Sequence, residues 1–315
     1  MVKYNAAELT QLQPMAPAIN RIIRKTLFAL DLWLPSRFRF RVDRSLPAVV
    51  AAAAAEPVLN SGLHSVIVCP KRLGHRAVTA ACLNVHSARN KSASVQEIIA
   101  GNDIDVLALT ETWHVSSDDV ALKCIIPPGY RCIEAARPAQ PTTRPAAAEF
   151  GNLGGGVALI HRDNLKSKRL IFDFTPATFE YVASFLSAAD TCIAVVVVYR
   201  PGSQPVCGKF FVELTSVLEA LAVYSCDVVL TGDFNIHVDD ATDPHATRLD
   251  DVLQSFGLVQ SVVGPTHVGG HTIDLVITRS DRPRTTVDVD LPDVSDHSLV
   301  HFRLPIQRPP LQHVE

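Results

Sequence analysis

The stretch DVVLTGDFN, residues 227–235, joins a short apolar run to an acid and an amide at its end. Its length and composition predict a buried strand that ends at the rim of a sheet. Alternate residues of a strand face the same way, so Asp233 and Asn235 are expected to point at one spot. This stretch therefore predicts a sheet whose rim carries polar side chains.

A second polar group lies near the end of the sequence, where Ser295, Asp296 and His297 precede a strand-like run at residues 298–304. It places a carboxylate beside an imidazole, again at a strand end. An acid, an amide and an acid–histidine pair suit hydrolysis of a phosphate ester. That reaction needs a metal site, an oriented water and a group that manages protons near neutral pH.

Strand-like and helix-like runs follow one another through residues 78–305. Helices are predicted where apolar residues recur at helical spacing, at residues 94–100, 210–224 and 249–256. Strands are predicted at residues 78–85, 104–109, 157–160, 170–174, 181–186, 192–199, 258–263, 273–278, 286–289 and 298–304. Many strands with few interspersed helices predict two packed sheets flanked by helices.

Charge is divided unevenly along the 315 residues, although the net charge is only −3. Residues 1–77 hold 11 Lys/Arg and 4 Asp/Glu, and residues 78–315 hold 18 Lys/Arg and 28 Asp/Glu. The basic leader suits contact with nucleic acid. A solvated, poorly ordered arm explains it equally well. Because the rest of the chain is acidic, any DNA contact there must rely on a local basic patch.

Seven cysteines are present, and none forms a Cys-x-x-Cys pair, which argues against a zinc ribbon or a redox motif. An odd number, with several cysteines in apolar runs, indicates reduced thiols and an intracellular, non-secreted protein. No apolar run is long enough to cross a bilayer, so no membrane partner is expected. The histidines at positions 237, 245, 267 and 271 lack the spacing of a zinc site, and surface roles are favoured for them.

Seven short motifs along the chain occur in the order found in one known superfamily. They are Leu83-Asn84-Val85, Leu109-Thr110-Glu111-Thr112-Trp113, Gly154-Gly155-Gly156-Val157-Ala158, Val198-Tyr199-Arg200-Pro201, Gly232-Asp233-Phe234-Asn235, Thr272-Ile273-Asp274-Leu275 and Ser295-Asp296-His297. With them the chain resembles the endonuclease/exonuclease/phosphatase superfamily, which has the DNase I-like fold. Glu111 followed by Thr112 and Trp113 is most similar to the endonuclease domain of LINE-type, non-LTR retrotransposons.

The resemblance implies an α+β fold, a four-layered α/β/β/α sandwich of two packed mixed sheets flanked by helices. The domain is expected at residues 78–305, after a basic, poorly ordered extension at 1–77 and before a tail at 306–315. The chain leaves no room for a reverse transcriptase after the last motif, and no obligate protein partner is evident.

The resemblance also implies roles for the rim residues. Glu111 is expected to be the main ligand of Mg²⁺, with Mn²⁺ as a substitute, and Asn84 and Asp296 are expected beside the metal. Magnesium prefers one or two carboxylates together with waters and phosphate oxygens, which fits this assignment. The alternatives are structural: Glu111 could simply end a strand, and Asn84 could be a turn or cap residue.

The other matched rim residues would act on the water and the phosphate. The resemblance implies that Asp233 orients or deprotonates the attacking water, that Asn235 holds the phosphate and that His297 is catalytic. Asp274 would accept a hydrogen bond from His297 and fix its tautomer. Whether Asp233 or His297 is the general base stays open, since His297 also suits stabilisation of charge on phosphorus.

Four further matches belong to the substrate side of the site. Tyr199 ends a strand-like valine run and matches a tyrosine that contacts phosphate. Thr266 matches a threonine that contacts the DNA backbone, Ser295 supports the loop before the Asp-His pair, and Arg200 is expected to bind substrate. His86 departs from the family pattern, since many relatives carry arginine there, and Gly202 stands where a second proline is common.

The expected activity is Mg²⁺-dependent nicking of DNA that leaves 3′-hydroxyl and 5′-phosphate ends. Two alternatives stay open. One is a phosphatase or phosphodiesterase of the same superfamily that acts on a small or lipid substrate. The other is a catalytically inactive nucleic-acid-binding remnant, although the intact set of rim residues argues against decay.

Overall fold

The structure, a computed structural model, describes residues 77–137, 154–188, 191–282 and 285–307. Residues 1–76 of the predicted extension (1–77) and residues 308–315 of the predicted tail (306–315) lie outside the described residues. No helix among the described residues is long and apolar enough to cross a membrane.

Twelve strands form two six-stranded sheets in the described part of the chain. The first sheet has the order β11-β12-β1-β2-β4-β3 and the second has the order β5-β6-β7-β8-β10-β9. The strands of the first sheet are β1 (Ala77–Asn84), β2 (Val106–Thr110), β3 (Tyr130–Ala135), β4 (Val157–Arg162), β11 (Val287–Val289) and β12 (Val300–Gln307). Those of the second are β5 (Lys166–Leu170), β6 (Glu180–Ala188), β7 (Thr191–Tyr199), β8 (Asp227–Asp233), β9 (Leu258–Gln260) and β10 (Asp274–Arg279).

Each sheet is mixed and contains one parallel pair at its centre. In the first sheet β1 runs parallel to β2 and antiparallel to β12. In the second sheet β7 runs parallel to β8, and β8 runs antiparallel to β10. The carboxyl ends of the parallel strands therefore meet the amino end of an antiparallel neighbour at one edge of each sheet.

Four helices within the described ranges cover the outer faces of the two sheets. They are α1 (Ser92–Gly101), α2 (Val120–Ile125), α3 (Gly208–Ala222) and α4 (Pro244–Ser255). One apolar cluster joins α1 and α2 to the first sheet, and another joins α3 and α4 to the second. A third cluster lies between the sheets. The predicted four-layered α/β/β/α sandwich is confirmed.

Strand β7 shows why its sequence is a continuous valine run. Val195 and Val197 pack in the cluster between the sheets, whereas Val196 and Val198 pack in the cluster beneath α3 and α4. A strand buried on both faces needs apolar residues at every position rather than at alternate ones.

The sequence prediction missed β3 and α2 and displaced β5. Both strands lie at sheet edges, and the side chains of Lys166–Arg169 in β5 are exposed, so neither strand has a strong apolar signal. Helix α4 begins earlier than predicted, at Pro244. Asp243 caps it by accepting a hydrogen bond from the His245 N–H at 2.8 Å, and Pro244 suits the first helical turn.

Candidate active site

The polar residues predicted at strand ends lie at one edge of the sandwich. Asn84 is the last residue of β1, Tyr199 the last of β7, Asp233 the last of β8 and Asp274 the first of β10. Glu111 follows the end of β2, whose Thr110 is in register with Asn84. In the second sheet Asp233 is in register with both Tyr199 and Asp274.

Asn84 joins the two sheets through its side-chain amide. Its Nδ2 donates to Glu111 Oε1 at 3.0 Å and to Asp233 Oδ2 at 2.9 Å. Its Oδ1 accepts from the His86 N–H at 3.0 Å, and the side chain is fully buried. Asn84 and Asp233 are 149 residues apart in sequence, so this contact fixes the two strand ends relative to each other.

Glu111 is held at the edge by an unusual backbone conformation. Its φ is +52° and that of Trp113 is +57°, and non-glycine residues rarely adopt this left-handed region. The turn brings Trp113 Nε1 to 3.2 Å from Glu111 Oε2, to which it donates. The carboxylate is half-buried, with one oxygen on Asn84 and the other on Trp113.

The turn after β8 directs Asp233 and Asn235 at the same place, as the sequence predicts. Asn235 has a φ of +48°, which returns its backbone N–H to Asp233 Oδ1 at 2.9 Å. Its side-chain Nδ2 donates to Asp233 Oδ2 at 2.9 Å and to Arg200 O at 2.8 Å. Gly232 is required here, because a Cβ would lie 2.0 Å from Val198 O.

His297 and Asp274 form a buried pair. His297 Nδ1 lies 2.7 Å from Asp274 Oδ2, which leaves its Nε2 directed away from that carboxylate. Burial alone lowers the pKa of His297, but the hydrogen bond to Asp274 and the charges of Asp274 and Asp233 outweigh it and raise the pKa to about 9. The imidazole is therefore a cation at neutral pH.

Asp233 and Asp274 form a close acidic pair. Burial and the charge of Asp274 raise the pKa of Asp233 to about 8, although His297 and the donors Asn84 and Asn235 favour its ionised form. Asp274 Oδ1 is buried and accepts no hydrogen bond from the described residues. A buried acceptor without a donor beside a second acid favours a proton or a cation between the two carboxylates.

Asp296 lies between two histidines on the solvent side of the site. His86 Nδ1 lies 3.2 Å from its Oδ1, and His267 Nε2 lies 3.5 Å from its Oδ2. His267 Nδ1 accepts from the Gly269 N–H at 3.0 Å, so a neutral His267 carries its proton on Nε2, towards Asp296. Burial raises the pKa of Asp296, but the hydrogen bond from His86 and the charge of His297 outweigh it and lower the pKa.

Two groups of potential metal ligands occur among the described residues. One is Asp233, Asp274 and His297, and the other is His267, Asp296 and His297, with the ligand atoms of each group within 4.8 Å of one another. The predicted ligand Glu111 lies outside both groups but shares Asn84 with Asp233. Carboxylate and carboxamide oxygens at this edge are the donors that Mg²⁺ prefers, so the residues present fit such an ion.

The sequence model of the Endonuclease/Exonuclease/phosphatase family matches residues 81–297. The chain belongs to this family. The matched region contains every site residue described above, from Asn84 to His297. No curated protein sequence matches the chain.

Three solved structures illustrate the fold of this family member. The endonuclease domain of TRAS1, a telomere-specific non-LTR retrotransposon, is 16% identical with a TM-score of 0.55, covering 74% of this chain and 100% of its own. The 3′ phosphatase NExo from Neisseria, bound to product DNA hairpin, is 21% identical with a TM-score of 0.54, covering 72% and 99%. An AP endonuclease from Archaeoglobus fulgidus is 16% identical with a TM-score of 0.51, covering 73% and 100%. At these identities the likeness establishes the DNase I-like fold.

Tyr199 is buried at the end of β7, in register with Asp233. It is 5% exposed, and burial and the charge and hydrogen bond of Glu111 raise the pKa of its hydroxyl. The Arg137 guanidinium lies 5.7 Å from the centre of its ring and is paired with Glu180. Glu180 also accepts from the Gly156 N–H at 2.5 Å, which ties the glycine-rich turn to Tyr199.

Two of the predicted substrate-side residues, Arg200 and Thr266, make contacts within the protein. Arg200 is 4% exposed and donates to four backbone carbonyls, including those of Phe234 and Asn235. Thr266 Oγ1 is buried and accepts from the Ile273 and Asp274 N–H groups at 3.0 Å each. These contacts shape the loops that carry Asn235 and Asp274, and substrate binding by Arg200 and Thr266 stays a prediction.

Ser295 makes the loop contact that the sequence predicts. Its Oγ donates to Asn84 O at 2.6 Å and accepts from the His297 N–H at 3.1 Å. One hydroxyl therefore positions both a residue of the first sheet's rim and the histidine. Ser295 and Asn84 are 211 positions apart in sequence.

Sequence reasoning missed Lys91 and undervalued His267. The Lys91 ammonium donates to Val85 O and His86 O at 2.7 and 2.9 Å. Burial lowers the pKa of Lys91, and the charges of Asp296 and Glu111 oppose that shift. The sequence analysis assigned no site role to Lys91 and favoured a surface role for His267.

Proposed function

We propose that this chain is a Mg²⁺-dependent endonuclease that hydrolyses phosphodiester bonds in DNA and leaves 3′-hydroxyl and 5′-phosphate ends. The observation that carries the proposal is the double hydrogen bond of Asn84, which brings Glu111 and Asp233 together beside the His297–Asp274 pair. A carboxylate for a metal, a buried acid and a cationic imidazole are the groups that phosphodiester hydrolysis needs.

His297 supplies positive charge at the phosphate. With its Nδ1 occupied by Asp274 and a pKa of about 9, it presents a charged Nε2–H at neutral pH. Such a donor, fixed before the reaction starts, stabilises negative charge that develops on the phosphate oxygens. Asn235 donates both of its side-chain N–H groups, one to Asp233 Oδ2 and one to Arg200 O, so it orients Asp233, and phosphate binding by Asn235 stays a prediction.

Asp233 is the proposed general base for the attacking water. Its pKa of about 8 makes the ionised Asp233 a stronger base than an ordinary carboxylate, and bound Mg²⁺ would favour the ionised form that accepts the proton. Its two oxygens are oriented by three N–H donors from Asn84 and Asn235, so the carboxylate cannot rotate freely.

Glu111, Asn84 and Asp296 are the residues that would hold Mg²⁺. When bound, the ion supplies Lewis-acid polarisation of a phosphate oxygen and an orienting point for the substrate. The protein's own contribution is to keep Glu111 oriented through Asn84 and Trp113 and to keep Asp296 ionised beside His86.

Local basic groups support DNA as the substrate. Residues 78–315 carry 18 Lys/Arg against 28 Asp/Glu, so long-range attraction to DNA is weak. The loop after β1 nevertheless brings His86, Arg89 and Lys91 to the rim of the site, with Arg89 exposed. Among similar structures, two are described as an endonuclease of a retrotransposon and a DNA-bound phosphatase.

The test is a plasmid nicking assay with Mg²⁺ and with a chelator. We expect Mg²⁺-dependent conversion of supercoiled plasmid to the open circle, and a loss of roughly 100-fold or more in Glu111→Gln and in His297→Ala. His301→Ala is the matched control. His301 lies in β12, and its Nε2 is 3.0 Å from Asp290 Oδ2, so it also forms a histidine–aspartate pair. This variant should nick at the wild-type rate.

The ends of the nicked strand decide the reaction type. A 3′-hydroxyl end can be sealed by DNA ligase together with the 5′-phosphate, whereas a 3′-phosphate end cannot. Unsealable nicks would contradict the proposal. Folded protein that binds DNA without nicking would indicate a binding module, and protein that does neither would direct the search to phosphatase substrates.

A further inference from the structure

Two histidines form a flat stack next to the site, and the mechanism above leaves them unused. The rings of His237 and His271 lie parallel, with centroids 3.8 Å apart and an interplanar angle of 4°. His237 is exposed and His271 is half-buried. No other aromatic ring contacts His237 within the described ranges, so one face of the stack is open to solvent.

The stack is held in place before any ligand arrives. Asp239 Oδ2 lies 3.1 Å from His271 Nδ1, and Asp239 Oδ1 accepts from the Thr272 N–H at 2.7 Å. The Val238 N–H donates to Thr272 O at 3.2 Å, which joins the two loops between the histidines. An aromatic surface fixed in this way loses little conformational entropy when a planar ligand binds.

Its position follows from the strands that end at the site. His237 lies two residues beyond Asn235, and His271 lies three residues before Asp274. Three extended residues span about 10 Å. A stacked DNA strand advances about 3.4 Å per nucleotide, so the stack lies within about three nucleotides of a phosphate bound at the proposed site beside Asn235.

The local charge favours a neutral planar ligand over a phosphate. Asp239 and Asp240 follow His237 directly in the same loop, and Asp239 already accepts from His271. Their carboxylates repel a phosphate group. A shared metal ion is also disfavoured, because nitrogen lone pairs in the planes of two parallel rings do not converge on one ion.

We propose that the His237–His271 stack is a binding site for an unpaired nucleobase of the DNA strand, within about three nucleotides of the bond that is cut. This inference rests on the proposed function and names a substrate class for it. The base must be unpaired, since a base inside a duplex is covered on both faces by its neighbours. Stacking on an aromatic side chain is tolerant of base identity.

Fluorescence of 2-aminopurine tests this contact without any cleavage. The base analogue is placed in turn at each position of a short unpaired stretch in a DNA duplex, with the protein in excess and EDTA present. Stacking quenches its emission, so we expect quenching at one or two adjacent positions with wild-type protein. The same probe in a fully paired duplex should show much less change.

Substitutions of His237 separate stacking from charge. His237→Phe keeps a planar ring and should retain the quenching and the affinity. His237→Ala should lose the quenching and bind the unpaired DNA roughly tenfold more weakly. His237→Lys carries a positive charge without a ring and should behave like His237→Ala. His245→Ala, on α4, is the matched control and should leave both measurements unchanged.

Two results would overturn the inference. If His237→Lys retains affinity and His237→Phe loses it, the stack binds phosphate through charge. If none of the three variants changes the quenching, the stack does not touch the DNA. Failure of the proposed function gives a different pattern, in which the wild-type protein shows no nicking of plasmid and no binding of either probe.

Discussion

At the scale of single residues, the site depends on how one carboxylate sets the charge of one imidazole. Asp274 Oδ2 at 2.7 Å from His297 Nδ1 is the main reason that the pKa of His297 rises to about 9 despite its burial. If His297 acts as a cation, the reaction rate should therefore depend on Asp274.

Replacing Asp274 with asparagine should narrow the pH range of nicking. In the wild type the cation is present below about pH 9, so activity that depends on it should fall as pH rises through that value. Asp274→Asn removes the negative charge, so the fall should begin at least one pH unit lower. The rate of plasmid nicking from pH 6 to 10 measures it.

The control for this variant is Asp290→Asn, which alters the similar pair with His301 outside the site. Its pH profile should match that of the wild type. An unchanged alkaline limb in Asp274→Asn would mean that His297 does not act as a cation.

Candidate site residues that stand in short motifs could be predicted from the sequence. Those that reach the site only through contacts between distant parts of the chain could not. Asp233, Asn235 and His297 stand in local patterns that can be recognised without a structure. Lys91 reaches the carbonyls of Val85 and His86 after β1 only through the loop that leads into α1. His267 reaches Asp296 through a bridge between residues 267 and 297, which no local pattern reveals.

At the scale of elements, the parallel strands β7 and β8 approach each other closely at Gly232, and this approach fixes the positions of the site residues at their ends. Gly232 is in register with Val198, and its φ is +136°. The strand ends of Tyr199 and Asp233 are adjacent in this pair, so any separation of the strands at Gly232 moves both side chains.

Gly232→Ala should destabilise the domain by at least about 3 kcal/mol, because the added Cβ meets Val198 O at 2.0 Å in a backbone conformation that L-residues rarely adopt. Gly101→Ala at the end of α1 is the matched control, since nothing lies within 4 Å of its added Cβ. It should be neutral or stabilise by about 0.5–1 kcal/mol. Urea denaturation followed by circular dichroism compares them. Equal effects of the two variants would contradict the argument.

Element prediction succeeded where both faces of a strand or one face of a helix are buried. The valine run of β7 and the apolar stripe of α3 carry strong patterns. The edge strands β3 and β5 carry weak patterns, since water covers one side and pairing with a neighbour holds them in place. Their existence depends on the sheet rather than on their own sequence.

At the scale of the whole molecule, the strand order could not be derived from local patterns. Strand β1 at the start of the described region pairs with β12 at its end, with Val78 opposite Leu304. This long-range pairing brings the loop of Ser295 and His297 to Asn84. The family resemblance predicted the fold because members of a family share the same strand pairings.

The two sheets meet at a charged edge, so the stability of the whole domain should depend on pH in a defined window. Asp233 has a folded pKa of about 8 against about 4 in an unfolded chain. Between these two values the folded protein binds one more proton at Asp233 than the unfolded chain does. This proton stabilises the fold fully below about pH 4, and the stabilisation is lost as pH rises to about 8. His297, at about 9 against about 6.5, acts in the same direction.

The melting temperature of the metal-free protein should therefore fall by roughly 5 °C between pH 6.5 and 8. His161 does not interfere, because burial lowers its pKa and its contribution is lost only as pH falls below about 6.5. Mg²⁺ favours the ionised acids and should raise the melting temperature more at pH 8 than at pH 6.5. Scanning fluorimetry with EDTA or Mg²⁺ measures both effects. In Asp233→Asn the slope should be smaller, and a slope equal to that of the wild type would show that the buried acid does not hold the proton.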